Sequence, residues 1–403
     1  MSAGMSAGMS ASARTTPDFS AAHAVLQAEV DAKRLPGVSA AVMRHGEVID
    51  HFCTGLADLQ TGEALRPEHI HRAFSNSKLI TSVALLMLHD QGHLQLDDPV
   101  KRWIPAFGAL QVLRPGATAI TDTEALQRDI TIRHLLSHQA GLSHGVFDPG
   151  TVIYNAYLAA GARSPQRTLA EAMDVLAGLP LGYQPGEGWD YAMGADVLGR
   201  IIELVTGQAF GDALQHLLLG PLGMVDTGFV MPPAQAHRLA ALYRGDLVDV
   251  MKPGLLRLDD TPWPNAYRTP VPRQSGAGGL LTTQADMLAL LRQLMPGQPS
   301  VLRPATLTAL FTDQVPASHC VQFYASGAVP SLGFGLGGAV TRRASTLQPA
   351  AAVGELQWGG LAGTHWFISP STGLAGVVMT QRFMGFWHPF WFQYKAALYA
   401  AAV

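Results

Sequence analysis

The sequence predicts an α/β (α+β) fold: an antiparallel sheet flanked by helices, built from both chain ends, with a mostly helical domain inserted between them. Three observations predict it. Strand-like segments open the chain in "GVSAAVMRHGEVIDHFCTGLAD" and return in its last third as "FGLGGAVTRR", "ELQWGG", "THWFISP" and "LAGVVMTQRF". From about 100 to 270 the pattern is helical with Pro/Gly breaks, as in "DITIRHLLSHQAG", "RTLAEAMDVLAGLP" and "GADVLGRIIELVTGQAFGDALQHLLLGPLG". The 403 residues, 48% of them hydrophobic, suffice for a large core or two domains.

The elements follow in order. "MSAGMSAGMSASAR" is small and polar with no apolar h-region, so residues 1–19 are expected to be a disordered leader rather than a signal peptide. Residues 20–34 read as an amphipathic helix, and two strands follow around a His45-Gly46 turn. A helix starting near Ser75 is apolar on almost every face (Leu79, Ile80, Val83, Ala84, Leu85, Leu86, Met87, Leu88), the mark of a helix enclosed by protein. Residues 232–274, rich in Pro, Arg and Asp, suggest a long surface excursion. "GAGGLLTTQADMLALLRQLM" runs from a glycine cluster into a helix, and "FWFQYKAALYAAAV" closes the chain as another. The expected division is a sheet domain of 20–90 with 275–403, a helical domain of 91–274, and an active site in the cleft between them.

Composition excludes several classes. A net charge of −3 points to neither nucleic acid nor an anionic membrane as partner. No stretch reaches 18 uninterrupted apolar residues, so no transmembrane helix is expected and a cytoplasmic location is the default. Cys53 and Cys320, far apart, give neither a disulfide framework nor metal-ligand spacing. Nothing in the sequence sets an oligomeric state.

"RAFSNSKLIT" then poses a question, because it sets a lysine one turn inside a helix built for burial. Ser75 and Lys78 stand at i and i+3, with Cβ atoms ~5–6 Å apart. One reading is a helix cap with Lys78 snorkelling to solvent. Against it, a capping box asks for Glu or Gln at that position, and a first-turn cation opposes the helix dipole at ~0.3–1 kcal/mol. The other reading is chemical: burial and the positive helix end disfavour the ammonium form, making Lys78 a base for a nucleophilic Ser75.

Two further stretches carry the same duality. Tyr191, in "PGEGWDYAMGADVLGRIIELVTG", is either a packing residue with a wet hydroxyl or a proton shuttle beside a cation. Trp358-Gly359-Gly360, in "ELQWGGLAGTHWF", is either an aromatic beside a bulge or a strand edge that admits close backbone approach. In the second case the N–H groups of Leu361 and Ser75 would form a two-donor oxyanion hole.

Taken in order, these stretches resemble the serine β-lactamase and penicillin-binding-protein superfamily: Ser75-x-x-Lys78, a Tyr191 box, and a third box on the last strands. "HLLSHQAGL", "PGEGWDY", "GRIIELVTG", "PLGMVDTGF" and "GAGGLLTT" are similar to it as well, so the likeness spans roughly residues 22–400. It is closest to the family VIII carboxylesterases, which are like class C β-lactamases in fold. Two departures bear on substrate. Where class C enzymes have Tyr-x-Asn this chain has Tyr191-Ala192-Met193, and Met193 supplies no amide. Where they have Lys-Thr-Gly it has Trp358-Gly359-Gly360, which removes a clamp for a substrate carboxylate and offers apolar area instead. The resemblance therefore implies a serine carboxylesterase for uncharged short-chain or aryl esters. Ser75 is acylated, Lys78 and Tyr191 act as general base and acid, and no metal or cofactor is required.

Weaker signals remain. "GLSHG" matches G-x-S-x-G at Ser143, but a helical segment precedes it where the elbow needs a strand. His134, His138 and His144 lack a helical carboxylate partner for zinc, so a role in structure or in supporting site residues is expected. His365 is expected near the cleft, and Phe386 or Trp387, in "RFMGFWHPFWFQY", as part of an acyl or alcohol pocket. The alternatives are an acyltransferase that passes the acyl group to an acceptor alcohol, a β-lactamase or peptidase, and a non-catalytic ligand-binding relative.

Overall fold

The structure, a computed structural model, describes residues 17–258, 261–262, 266–324 and 327–403. The leader expected over 1–19 lies outside the described residues as far as 16. At 17–19 the structure differs from it, because Phe19 is buried against the final helix.

Both chain ends build one antiparallel sheet. Strands β1 (Gly37–Arg44), β2 (Glu47–Asp58) and β3 (Glu63–Ala64) come from the start. Strands β4 (Leu332–Phe334), β5 (Ala339–Thr341), β6 (Leu356–Gly359), β7 (His365–Ser369) and β8 (Leu374–Thr380) come from the end. Their order is β4-β5-β6-β7-β8-β1-β2-β3, so the first strand is stitched to the last, with Val38 opposite Thr380 and Arg44 opposite Leu374. The β1–β2 hairpin turns on His45 and Gly46, at φ 49° and 85°, the paired left-handed conformation of a tight two-residue loop. All of β1 except Arg44 is buried, because helices cover both faces.

The helices are α1 (Ser20–Asp31), α2 (Ser77–Asp90), α3 (Ile132–Leu136), α4 (Val152–Ala159), α5 (Leu169–Ala177), α6 (Gly194–Thr206), α7 (Phe210–Leu214), α8 (Gln284–Leu294), α9 (Pro304–Phe311) and α10 (Pro389–Ala402). Helices α1 and α10 pack on one face of the sheet through Leu26, Val38, Phe367, Phe390 and Leu398. The other face joins α2, α3, α5, α6 and α8 in a single apolar cluster that runs through Val83, Leu135, Ile201 and Leu290 to Trp366 and Val377. Helix α2 lies in its middle, and of its residues only Met87 and His89 escape full burial. Among the described residues no helix is long and apolar enough to cross a membrane.

One expected helix is much shorter than its pattern. The periodicity of "DITIRHLLSHQAG" yields only α3, because His138 takes a left-handed φ of 61° just beyond it. Among the described residues of 232–274 the regular structure is a 3₁₀ turn at Pro233–Arg238 and two-residue strands at Tyr243–Arg244 and Leu256–Arg257.

Candidate active site

The serine of the S-x-x-K pair does not sit in α2 but in a 3₁₀ turn, Phe74–Asn76, that leads into it. Phe74 adopts φ 44°, a left-handed conformation costly for a bulky residue, which turns the chain sharply before Ser75. Lys78, in the first turn of α2, is only 3% exposed. Its Nζ is hydrogen-bonded to Ser75 Oγ at 3.3 Å and donates to the Ala277 carbonyl at 2.7 Å. The snorkelling alternative therefore fails: the amine is turned inward, fixed by a backbone oxygen, and pointed at the hydroxyl.

Tyr191 reaches the same place from the loop before α6. The Lys78 amine lies over its ring, 4.4 Å from the centroid. The Tyr191 hydroxyl is bonded to the Trp358 indole, whose Nε1–H donates at 3.2 Å. Trp358, expected as apolar area, is thus also a polar partner of Tyr191. Two histidines hold the tyrosine in place. His138 Nδ1 accepts from the Ala192 N–H at 3.1 Å, and the His144 ring stacks parallel on Tyr191 with centroids 5.7 Å apart. Burial, and after it the nearby Lys78 charge, holds both imidazoles well below the usual histidine range.

Ser75 opens into a small niche lined by Phe147, Tyr191, Phe323, Trp358, Gly359, Leu361, Phe386 and Trp387. The N–H groups of Ser75 and Leu361 have no acceptor among the described residues. What brings Leu361 to the serine is Gly360: a Cβ there would overlap the Ala73 carbonyl and Thr364 Oγ1 and lie 3.2 Å from Phe74 Cβ. Gly359 presses likewise on His365 and the Thr364 carbonyl. Met193, the N-cap of α6, faces a pocket of about 390 Å³ that includes Ser75, and contributes no hydrogen-bonding side chain to it.

Phe386 and Trp387 line both the niche and a second, mostly apolar cavity of about 570 Å³ between α10 and the sheet. His365 is not among the niche residues. It lines that second cavity, stacked on Trp391 at 4.5 Å, with Nε2 buried and unpartnered. Burial, and then the Lys395 charge, pushes its pKa down to about 3. Below pH 6.5 the unfolded chain therefore takes up a proton that the folded imidazole refuses, and stability rises with pH across the window from 3 to 6.5. Replacing His365 by Phe should flatten urea-unfolding stability against pH in that window by up to ~1.4 kcal/mol per pH unit. An unchanged slope would show that His365 titrates normally in the fold.

The weaker candidates lie elsewhere. Ser143 donates to Asp148 Oδ2 at 2.8 Å and accepts from the Gly145 N–H at 2.9 Å, in a loop between α3 and α4 rather than at a strand–helix elbow. His134 takes part in the capping box of α3 with Thr131. Among the described residues no group of three or more His, Cys, Asp or Glu is placed to hold a metal ion. Sequence reasoning missed Phe147 and Ala277, in loops, and Phe323, at the end of a short strand Val321–Phe323, none of which carries a local sign of its neighbours.

The model of the Beta-lactamase family matches residues 22–389. The chain belongs to the Beta-lactamase family. Within it, the chain is 31% identical to Esterase EstB of Burkholderia gladioli over 97% of this chain and 100% of that one. It is 30% identical to a lovastatin esterase of Penicillium rubens, covering 87% of this chain and 90% of the other. Among solved structures it is similar to EstCE1, described as a hydrolase with promiscuous acyltransferase activity. The TM-score there is 0.78 and the identity 28%, over 94% of this chain and 98% of that one. The β-lactamase-like fold with its large antiparallel sheet is shared with EstCE1.

Proposed function

We propose that the protein is a serine carboxylesterase that hydrolyses carboxylic esters through an acyl-enzyme on Ser75. The observation that carries the proposal is the Lys78 amine held inside the protein, 3.3 Å from Ser75 Oγ. Fixed by its bond to the Ala277 carbonyl, Lys78 acts as the general base that takes the serine proton as Oγ attacks the ester carbonyl. The N–H groups of Ser75 and Leu361 receive the oxyanion, and the proton leaves on the alcohol by way of Lys78 and Tyr191. Water then attacks the acyl-enzyme, with the same groups acting in reverse to free Ser75 and the acid. The names of EstB and the lovastatin esterase support the ester class. The aromatic niche and the absence of an amide at Met193 support aryl and short acyl esters over lactams. The domain division that places the cleft between 20–90 with 275–403 and 91–274 belongs to the same proposal.

Acyl transfer to an alcohol is a second reading, favoured by the aromatic walls of the niche and by the activity named for EstCE1. An alkyl fluorophosphonate, which loses fluoride as Oγ bonds to phosphorus, should label native protein at Ser75, mapped by peptide mass, with ester hydrolysis lost in step. Labelling at another serine, or full hydrolysis by Ser75→Ala, would overturn the assignment. With added alcohol, formation of a new ester identifies transfer, whereas acid alone leaves hydrolysis as the reaction.

A further inference from the structure

The wall of the cleft facing the niche carries charge that this chemistry does not use. Arg163 follows α4 in an exposed loop and has no ion pair or hydrogen bond among the described residues. It lines the pocket of about 390 Å³ that also contains Ser75 and Leu361. Its loop is not loose. Arg273 holds it from below, with its backbone N–H donating to the Pro165 carbonyl at 3.3 Å and Nη1 to the Ala162 carbonyl at 2.6 Å. The remaining edge of the Arg273 guanidinium is paired with the buried Asp196, which also accepts from Ser275 Oγ at 2.7 Å and the Ala277 N–H at 3.1 Å. Ala277 in turn receives the Lys78 amine. One hydrogen-bonded chain thus ties the Arg163 loop to the base of the nucleophile.

The charge in this pocket is unbalanced. Among its described lining residues Arg163 and Arg273 are cationic, and the sole carboxylate, Asp196, is committed to Arg273. A planar guanidinium without a protein partner among the described residues suits the two oxygens of a carboxylate.

We propose that Arg163 is a substrate-binding residue for a carboxylate, so that the preferred substrates are esters carrying an acid group on a short tether. The inference rests on the serine-esterase reading and deepens it. It also reverses the expectation of uncharged substrates, since the cation missing from the third box stands instead on the opposite wall of the cleft.

Matched esters test it on the full-length protein. One pair places the acid on the acyl side, para-nitrophenyl hydrogen glutarate against para-nitrophenyl butyrate. The other places it on the alcohol side, para-carboxyphenyl butyrate against phenyl butyrate. In at least one pair native kcat/KM for the acid should exceed that for the neutral ester by about tenfold, the scale of one charge-assisted hydrogen bond. Most of that factor should appear in KM. The ratio should fall towards one in Arg163→Gln and invert in Arg163→Glu. No acid preference in either pair, or a preference that survives both substitutions, overturns the inference while native turnover of the neutral esters leaves the esterase reading standing. No native turnover of any ester sinks both together.

Discussion

Lys78→Met should lose about 10²–10⁴-fold in kcat/KM for an aryl ester, the usual contribution of a positioned general base. Methionine keeps the apolar stem of the lysine, buried in the first turn of α2, and removes the amine alone. The structural cost is confined to the Ala277 carbonyl, which loses its donor from Lys78. A buried acceptor left unpaired costs about 1–3 kcal/mol, small enough for the variant to stay folded at room temperature. Hydrolysis rate and thermal midpoint measured on one preparation separate the two effects. A rate near that of the parent would remove Lys78 from the mechanism, because no other side chain among the described residues is hydrogen-bonded to Ser75 Oγ.

The parts of this arrangement that were legible in the sequence share a physical cause. A polar Ser-x-x-Lys inside an all-apolar helix is a local contradiction, and local contradictions in otherwise consistent sequences gather at functional sites. The strands were legible for the same kind of reason. Alternation and β-branched runs mark β2 and β8, while β1, covered on both faces, shows itself as a continuous apolar run. That both ends supply one sheet followed from the order of segments, whereas the pairing of β1 with β8 required the structure.

What stayed hidden depends on partners distant in sequence. The Trp358–Tyr191 hydrogen bond joins residues 167 positions apart, and neither tryptophan nor tyrosine announces a polar partner. Phe74 gives no sign of its left-handed turn, since that conformation is normally left to Gly, Asn or Asp. The helical period of "TIRHLLSHQA" was real, but the Ala192 N–H finds its acceptor in a His138 that has left the helix. His365 follows the third box by a few residues, yet alternation along β7 turns it to the α10 side of the sheet, onto Trp391. Arg163 was invisible as a site residue because an arginine in a loop looks like any solvated charge until its lack of a partner is seen.

Gly360→Ala should reduce kcat by about 10²–10³-fold, the loss expected when one oxyanion donor is displaced. The added methyl has nowhere to go: the Ala73 carbonyl is backbone, Thr364 Oγ1 is buried, and Phe74 Cβ belongs to the strained turn itself. The end of β6 must back away from the serine turn, carrying the Leu361 N–H with it. A shift near ~1 Å is enough to cost about 10²-fold, since donors must meet the oxyanion where the charge develops. Overpacking will also lower stability by about 1–3 kcal/mol, so the diagnostic quantity is how the kinetic loss divides. An interaction made chiefly in the transition state is lost from kcat with KM little changed. Folded Gly360→Ala protein with native kcat and only a lowered thermal midpoint would show that this glycine serves packing alone and that the Leu361 N–H takes no part in the chemistry.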